Sequence, residues 1–182
     1  MTFTFQRKEI PDVISVVHDR HTDERGFFEE TFKNSTFKSE GISVPFLQDN
    51  HSFSQRGVLR GLHLQVAPEE QGKLVSVMIG RIFDVAVDVR PDSAYFGRWV
   101  SEELSGDNRR MLWIPSGFAH GFVALEDSHV VYKTTNEYSH EHERGIIWND
   151  PEIGIEWPMS DPRVSDRDMS LGRLDDFRRV KR

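Results

Sequence analysis

The sequence predicts an all-β fold, a barrel or sandwich of short strands with a few small peripheral helices. Three observations predict it: short apolar runs, each bounded by Gly, Pro, Asn or Asp; a period of two within them; and helix signals that are few and brief. At 182 residues the chain has the length of one domain, taken to span 1–182, with no linker or internal repeat.

Taken in order, residues 34–41 hold two helical turns closed by Gly41. Residues 58–65 read as a strand with Val58, Arg60, Leu62 and Leu64 on one face and Leu59, Gly61, His63 and Gln65 on the other. Its internal glycine predicts a bulge or a close backbone approach, which lets polar side chains of both faces reach one cavity. Residues 73–89 read as a hairpin turning at Gly80 and Arg81. In its second arm Val85, Val87 and Val89 share one face, and Asp84, Ala86 and Asp88 the other. Asp84 is therefore either an acid that reaches the cavity or part of a solvated face. Further strands are expected at 111–114, 121–125 and 130–132. Residues 161–182, with 12 charged residues in 22, form a polar peripheral tail or short helices.

Composition removes several function classes. With 23 Lys+Arg against 30 Asp+Glu the net charge is −7, which argues against a nucleic-acid partner. The absence of cysteine excludes disulfides, thiolate metal sites and a thiol nucleophile. No apolar run approaches the ~18 residues of a membrane span, and the N-terminus has no signal-peptide core, so a cytoplasmic protein without a membrane partner is expected.

The residues able to do chemistry cluster. Arg60, His63, Gln65 and Lys73 fall within one short stretch, and Pro115 and Gly117 make a turn that delivers His120 into a following strand. This two-part pattern resembles the cupin superfamily, which implies a β jelly roll, or double-stranded β-helix barrel. Metal-binding cupins carry a His-x-His pair; here the second position is Gln65, a poor ligand. His63 and His120 with one acid are still a conceivable metal set, but the preferred reading has no metal and uses imidazole for proton transfer. The run His140, Glu141, His142, Glu143 is read as a solvated loop rather than a metal tract.

At a finer level, residues 23–28 (DERGFF), 46–52 (FLQDNHS), 58–63 (VLRGLH), 71–75 (QGKLV), 83–88 (FDVAVD), 114–122 (IPSGFAHGF), 132–136 (YKTTN), 148–151 (WNDP) and 155–158 (IEWP) together resemble the dTDP-4-dehydrorhamnose 3,5-epimerase family. The resemblance runs over about 5–168. It implies a dTDP-linked 4-keto-6-deoxyhexose as substrate, no cofactor, and a homodimer whose N-terminal strands exchange between subunits. By position in the family pattern His63 is the base, Tyr132 the acid on the opposite face, Lys73 the cation near the C4 oxygen, and Asp168 the acid that orients the base. Read from spacing alone, Asp168 instead closes a capping box that starts at Ser165. Arg25, Glu30, Gln48, Asn50, Arg60, His120, Glu143 and Arg167 stand at substrate-binding positions, Arg167 in place of a common Lys. Tyr138 and Phe27 are aromatics able to flank the base or sugar, or, for Phe27, to pack in the core. Rival readings are a 3-only or 5-epimerase on a related sugar nucleotide, a metal-dependent cupin, and a catalytically silent sugar-nucleotide-binding module.

Overall fold

The structure, a computed structural model, describes residues 2–178; residues 179–182, the end of the charged C-terminal segment, lie outside the described residues. In chain order the elements are β1 (Phe3–Arg7), β2 (Ile14–His18), β3 (Arg20–Asp23), β4 (Gly26–Glu29), α1 (Asn34–Ser39), β5 (Gln48–Ser54), β6 (Leu59–Gln65), β7 (Lys73–Ile79) and β8 (Arg81–Asp88). There follow β9 (Trp99–Ser105), β10 (Arg110–Ile114), β11 (Phe118–Ala124), β12 (Ser128–Thr134), a 3-10 turn (His140–His142), β13 (Glu143–Gly145), α2 (Asp166–Met169) and α3 (Asp175–Arg178).

Strands pair from the ends of this series inward: β5 with β12, β6 with β11, β7 with β10, and β8 with β9, all antiparallel. Such nested pairing is that of a jelly roll, a long hairpin wound into two facing sheets. One sheet has the order β1-β2-β10-β7-β12-β5 and the other β13-β6-β11-β8-β9. The predicted hairpin over 73–89 is therefore corrected. Its two arms exist, but β7 and β8 lie in different sheets, joined across Gly80. Gly80 has φ +82°, and a Cβ there would stand 2.2 Å from the Asp127 carbonyl oxygen, so the chain turns sharply out of one sheet and into the other.

Between the sheets lie Val75, Val77, Ile82, Ala86, Val100, Leu104, Leu112, Ile114, Phe118, Phe122 and Val130. The valine face of β8 points the other way. Val85, Val87 and Val89 pack outside the five-stranded sheet against Ile146, Ile153, Leu174 and Phe177. Asp84 thus faces the interior and is fully buried, not solvated. The C-terminal segment is also more than a polar appendage, since its Leu174 and Phe177 cover that outer face, its Asp168 is buried, and most of its other described charges are exposed. On the other flank α1 docks Phe37 edge-on against Phe3 and Phe5. Its N-cap, Lys33, makes no side-chain cap bond. Packing rather than propensity holds so short a helix.

Candidate active site

The two sheets supply opposite walls of one cavity. Arg60 and His63 on β6 and His120 and Phe122 on β11 come from the five-stranded sheet; Lys73 on β7, Tyr132 on β12, and Gln48, Asn50 and Ser52 on β5 come from the six-stranded one. Two lobes of about 300 and 140 Å³ share His63, Lys73, Tyr132 and Glu143. The register explains the second wall: Asn50 lies opposite Tyr132, and Gln48 opposite Thr134, whose other neighbour is Lys73. Directly opposed residues share a face, so alternation turns this whole set inward.

Arg60 and His63 cannot share a face of a regular strand. The β6–β11 register shifts between His120 and Phe122, where Gly61 sits with φ +127°. A Cβ on Gly61 would lie 2.5 Å from the Gly121 Cα, so two facing glycines let the strands close up while the chain slips by one residue. The irregularity expected from the sequence is what brings both side chains to the cavity.

His63 Nε2 lies 2.8 Å from Asp168 Oδ1. Asp168 also accepts from the Gly61 N–H at 3.1 Å. Burial pushes its carboxyl group up, but the bonds from His63, Gly61 and Ser165 outweigh this and hold its pKa below the usual carboxylate value. An ionised carboxylate only accepts, so Nε2 carries the ring proton and Nδ1 is left as the basic nitrogen. The capping reading of Asp168 holds as well: its backbone N–H donates to the Ser165 hydroxyl at 3.1 Å. The main chain caps α2 while the side chain, free of that task, serves His63.

Lys73 is buried and donates to the His63 carbonyl at 3.2 Å. Loss of hydration pulls its pKa down to about 8, with the charges of Asp84 and Glu143 opposing. It remains a cation at pH 7. The Tyr132 hydroxyl makes no hydrogen bond among the described residues; burial raises its pKa, Arg60 opposing and Glu143 adding, so the phenol keeps its proton. Asp84 does not pair with His63. It takes His120 Nε2 at 2.7 Å instead, and burial lowers the His120 pKa against the pull of that carboxylate.

At the cavity's edge, Glu143 accepts from the Tyr138 hydroxyl at 2.5 Å and pairs with Arg167. Burial raises the Glu143 carboxyl, but these two partners hold it below its ordinary value. Gln48 donates to Asn50 Oδ1 at 2.8 Å and accepts from the Tyr138 N–H at 2.9 Å. Arg60 is braced by Ser54 Oγ at 2.9 Å and the Phe53 carbonyl at 3.1 Å. The stretch 140–143 is not a plain solvated loop: Ser139 Oγ bonds His142 Nδ1 at 2.7 Å, and Glu143 opens a strand paired to β6. Arg25 and Glu30 do not line the cavity. Arg25 sits exposed on the β3–β4 hairpin, paired with Asp23 at 2.6 Å, and the exposed Phe27 ring lies 3.9 Å beneath the Arg20 guanidinium. Phe27 is therefore not core.

The profile of the dTDP-4-dehydrorhamnose 3,5-epimerase family matches residues 7–176. The chain belongs to this family. The Shigella flexneri dTDP-4-dehydrorhamnose 3,5-epimerase is 53% identical over 166 residues, covering 90% of this chain and 92% of that protein. The dTDP-6-deoxy-D-glucose-3,5-epimerase of Legionella pneumophila, solved with dTDP-4-keto-L-rhamnose, superposes with a TM-score of 0.92 at 43% identity, covering 96% of this chain and 94% of that one. A 3'-monoepimerase from Streptomyces bikiniensis, solved with dTDP-quinovose, gives 0.87 at 31% identity over 93% and 87% of the two chains.

The donors standing where a cupin-type fold would hold a metal do not fit one. Gln65, in the second-histidine position, spends its amide on the Glu69 carbonyl at 2.6 Å, the Glu137 carbonyl at 3.2 Å and the Ser139 N–H at 2.7 Å. His63 and His120 are each tied through Nε2 to a separate carboxylate, and no metal-binding cluster of His, Cys, Asp or Glu occurs among the described residues. Sequence reasoning missed Ser52, Gln71 and Phe122 on the cavity wall. Extending the Gln48, Asn50 alternation by one step would have found Ser52, whose buried hydroxyl has no partner among the described residues.

Proposed function

We propose that this protein inverts C3 and C5 of dTDP-4-dehydro-6-deoxy-D-glucose to give dTDP-4-dehydro-L-rhamnose, a step of dTDP-L-rhamnose biosynthesis. One observation carries the reading: a His–carboxylate base and a protonated phenol stand on facing sheets, with a buried ammonium beside them.

Protons on C3 and C5 are acidic because the C4 ketone takes up the charge as an enolate. His63 Nδ1 removes one, becoming an imidazolium that Asp168 stabilises. The electron pair of the C–H bond moves to the C4 oxygen, where the Lys73 ammonium meets the developing negative charge; a preorganised donor of this kind is worth ~10²–10³-fold in kcat. Tyr132 then delivers a proton to the opposite face of the same carbon, and exchange with water resets both groups. Substrate and product are isomers, so the reaction is redox-neutral. Arg60, Arg167 and His120 suit the diphosphate and sugar, and Gln48, Asn50 and Tyr138 the thymine.

The reading includes a homodimer, a single domain over 1–182, and a cytoplasmic setting shared with the nucleotide-activated sugar. Support for the dimer comes from the hairpin β3–β4, which leaves Phe27 at 59% and Phe28 at 65% exposure next to Arg25. In a dimer that hairpin reaches the neighbour's cavity and brings Arg25 and Glu30 to its substrate. Sedimentation should give twice the chain mass of 21.1 kDa; a fully active monomer contradicts this part. The activity itself is tested by NMR of the turnover mixture in heavy water. Deuterium should enter at both C3 and C5 of an inverted product, whereas exchange at a single carbon identifies a monoepimerase.

A further inference from the structure

Asp84, fully buried on the inward face of β8 and bonded to the cavity-lining His120, is a carboxylate to which the mechanism above gives no task. One oxygen takes His120 Nε2 at 2.7 Å; the other is buried and bonded to nothing among the described residues. A buried ionised carboxylate is costly unless opposite charge or hydrogen bonds compensate it. Lys73 has the mirror-image problem. Its ammonium is buried, its hydrogen bond goes to a neutral carbonyl, and it makes no ion pair within 4 Å among the described residues. Each of these groups is what the other lacks.

We propose that Asp84 is a positioning residue for the ketone-binding cation: it anchors His120 and supplies the buried negative charge that keeps Lys73 protonated in the cavity. The proposal rests on the role given to Lys73 above. The other charged or titratable groups around the pair do not replace Asp84. From β6 come His63 and Arg60, from β11 His120, from β12 Tyr132, and from α2 Arg167 and Asp168, and the two carboxylates among the remaining neighbours are engaged elsewhere. Glu143 on β13 is held by Tyr138 and Arg167, and Glu102, opposite Asp84 on β9, by Lys8 at 3.0 Å and by Arg110. Among the charges acting on Lys73, that of Asp84 is the strongest stabiliser of the ammonium.

The test is an NMR titration of the Lys73 side chain in ¹³C-lysine-labelled protein, its signal assigned by its disappearance in Lys73→Met. In Asp84→Asn, which keeps an oxygen for His120 and removes the charge, the Lys73 midpoint should fall by at least about one pH unit. The alkaline limb of kcat should move down with it, and kcat at pH 8 should drop about tenfold more than KM changes. Asp84→Glu should restore much of the limb. A Lys73 midpoint unchanged in folded Asp84→Asn overturns the proposal. If that variant does not fold, His120→Gln decides: it leaves the Asp84 charge in place, so the midpoint should stay at or above that of the native protein, and a fall of a full unit overturns the proposal. Turnover that survives Lys73→Met would instead remove the role of Lys73 in the reaction, while the titration still reports on Asp84.

Discussion

His63→Ala is expected to lower kcat by about 10²–10⁴-fold, the contribution typical of one positioned acid–base group. The loss should reach both halves of the chemistry. Without Nδ1 nothing takes the proton from C3 or C5, so washout of substrate hydrogen into heavy water and formation of the inverted product should fall together. Asp168 cannot substitute, because its carboxylate is bound by the Gly61 N–H and serves the far nitrogen of the ring. NMR of the reaction mixture measures both rates at once, and a thermal melt separates chemistry from the cost of leaving that carboxylate short of a partner. Washout within tenfold of the native rate would mean that another group is the base.

Tyr132→Phe should separate the two halves. The phenol is kept protonated by burial and contributes nothing to proton removal; its task is the return from the other face. With His63 and Lys73 intact, the enolate still forms. The remaining source of a proton is then the imidazolium, which returns it to the face it came from. Inversion should fall by about 10²–10⁴-fold, while washout falls far less. The ring of phenylalanine fills the same space, so the packing of Tyr132 against the interior cluster is retained.

Where the chain alternated cleanly or broke its pattern with glycine, the sequence was legible. Gly61 announced the irregularity that gathers Arg60 and His63, and the Pro115–Gly117 turn led to His120. Strand β5 was missed because its sequence, QDNHSFS, has no apolar stripe. Its inner face carries Gln48, Asn50 and Ser52 where a core strand would carry Val or Ile, so the binding residues erase the periodicity that marks a strand. The β7–β8 hairpin was misread because a turn signal says where a chain reverses, not which sheet it joins. Alternation could not tell a cavity-facing Asp84 from a solvated one for a related reason: the valines opposite it are buried too, under the C-terminal segment, and a strand covered on both faces has no inside legible from alternation. Asp168 lies 105 residues from His63, and no local pattern relates them; family resemblance alone pointed to that pair.

The opposite-face arrangement of His63 and Tyr132 is tested most directly by Tyr132→Phe in heavy water, scoring deuterium and configuration at C3 and C5 in the same spectrum. Recovered substrate that has gained deuterium but kept its configuration is the predicted result. Inverted, deuterated product forming at the native rate would show that the returning proton comes from somewhere other than Tyr132.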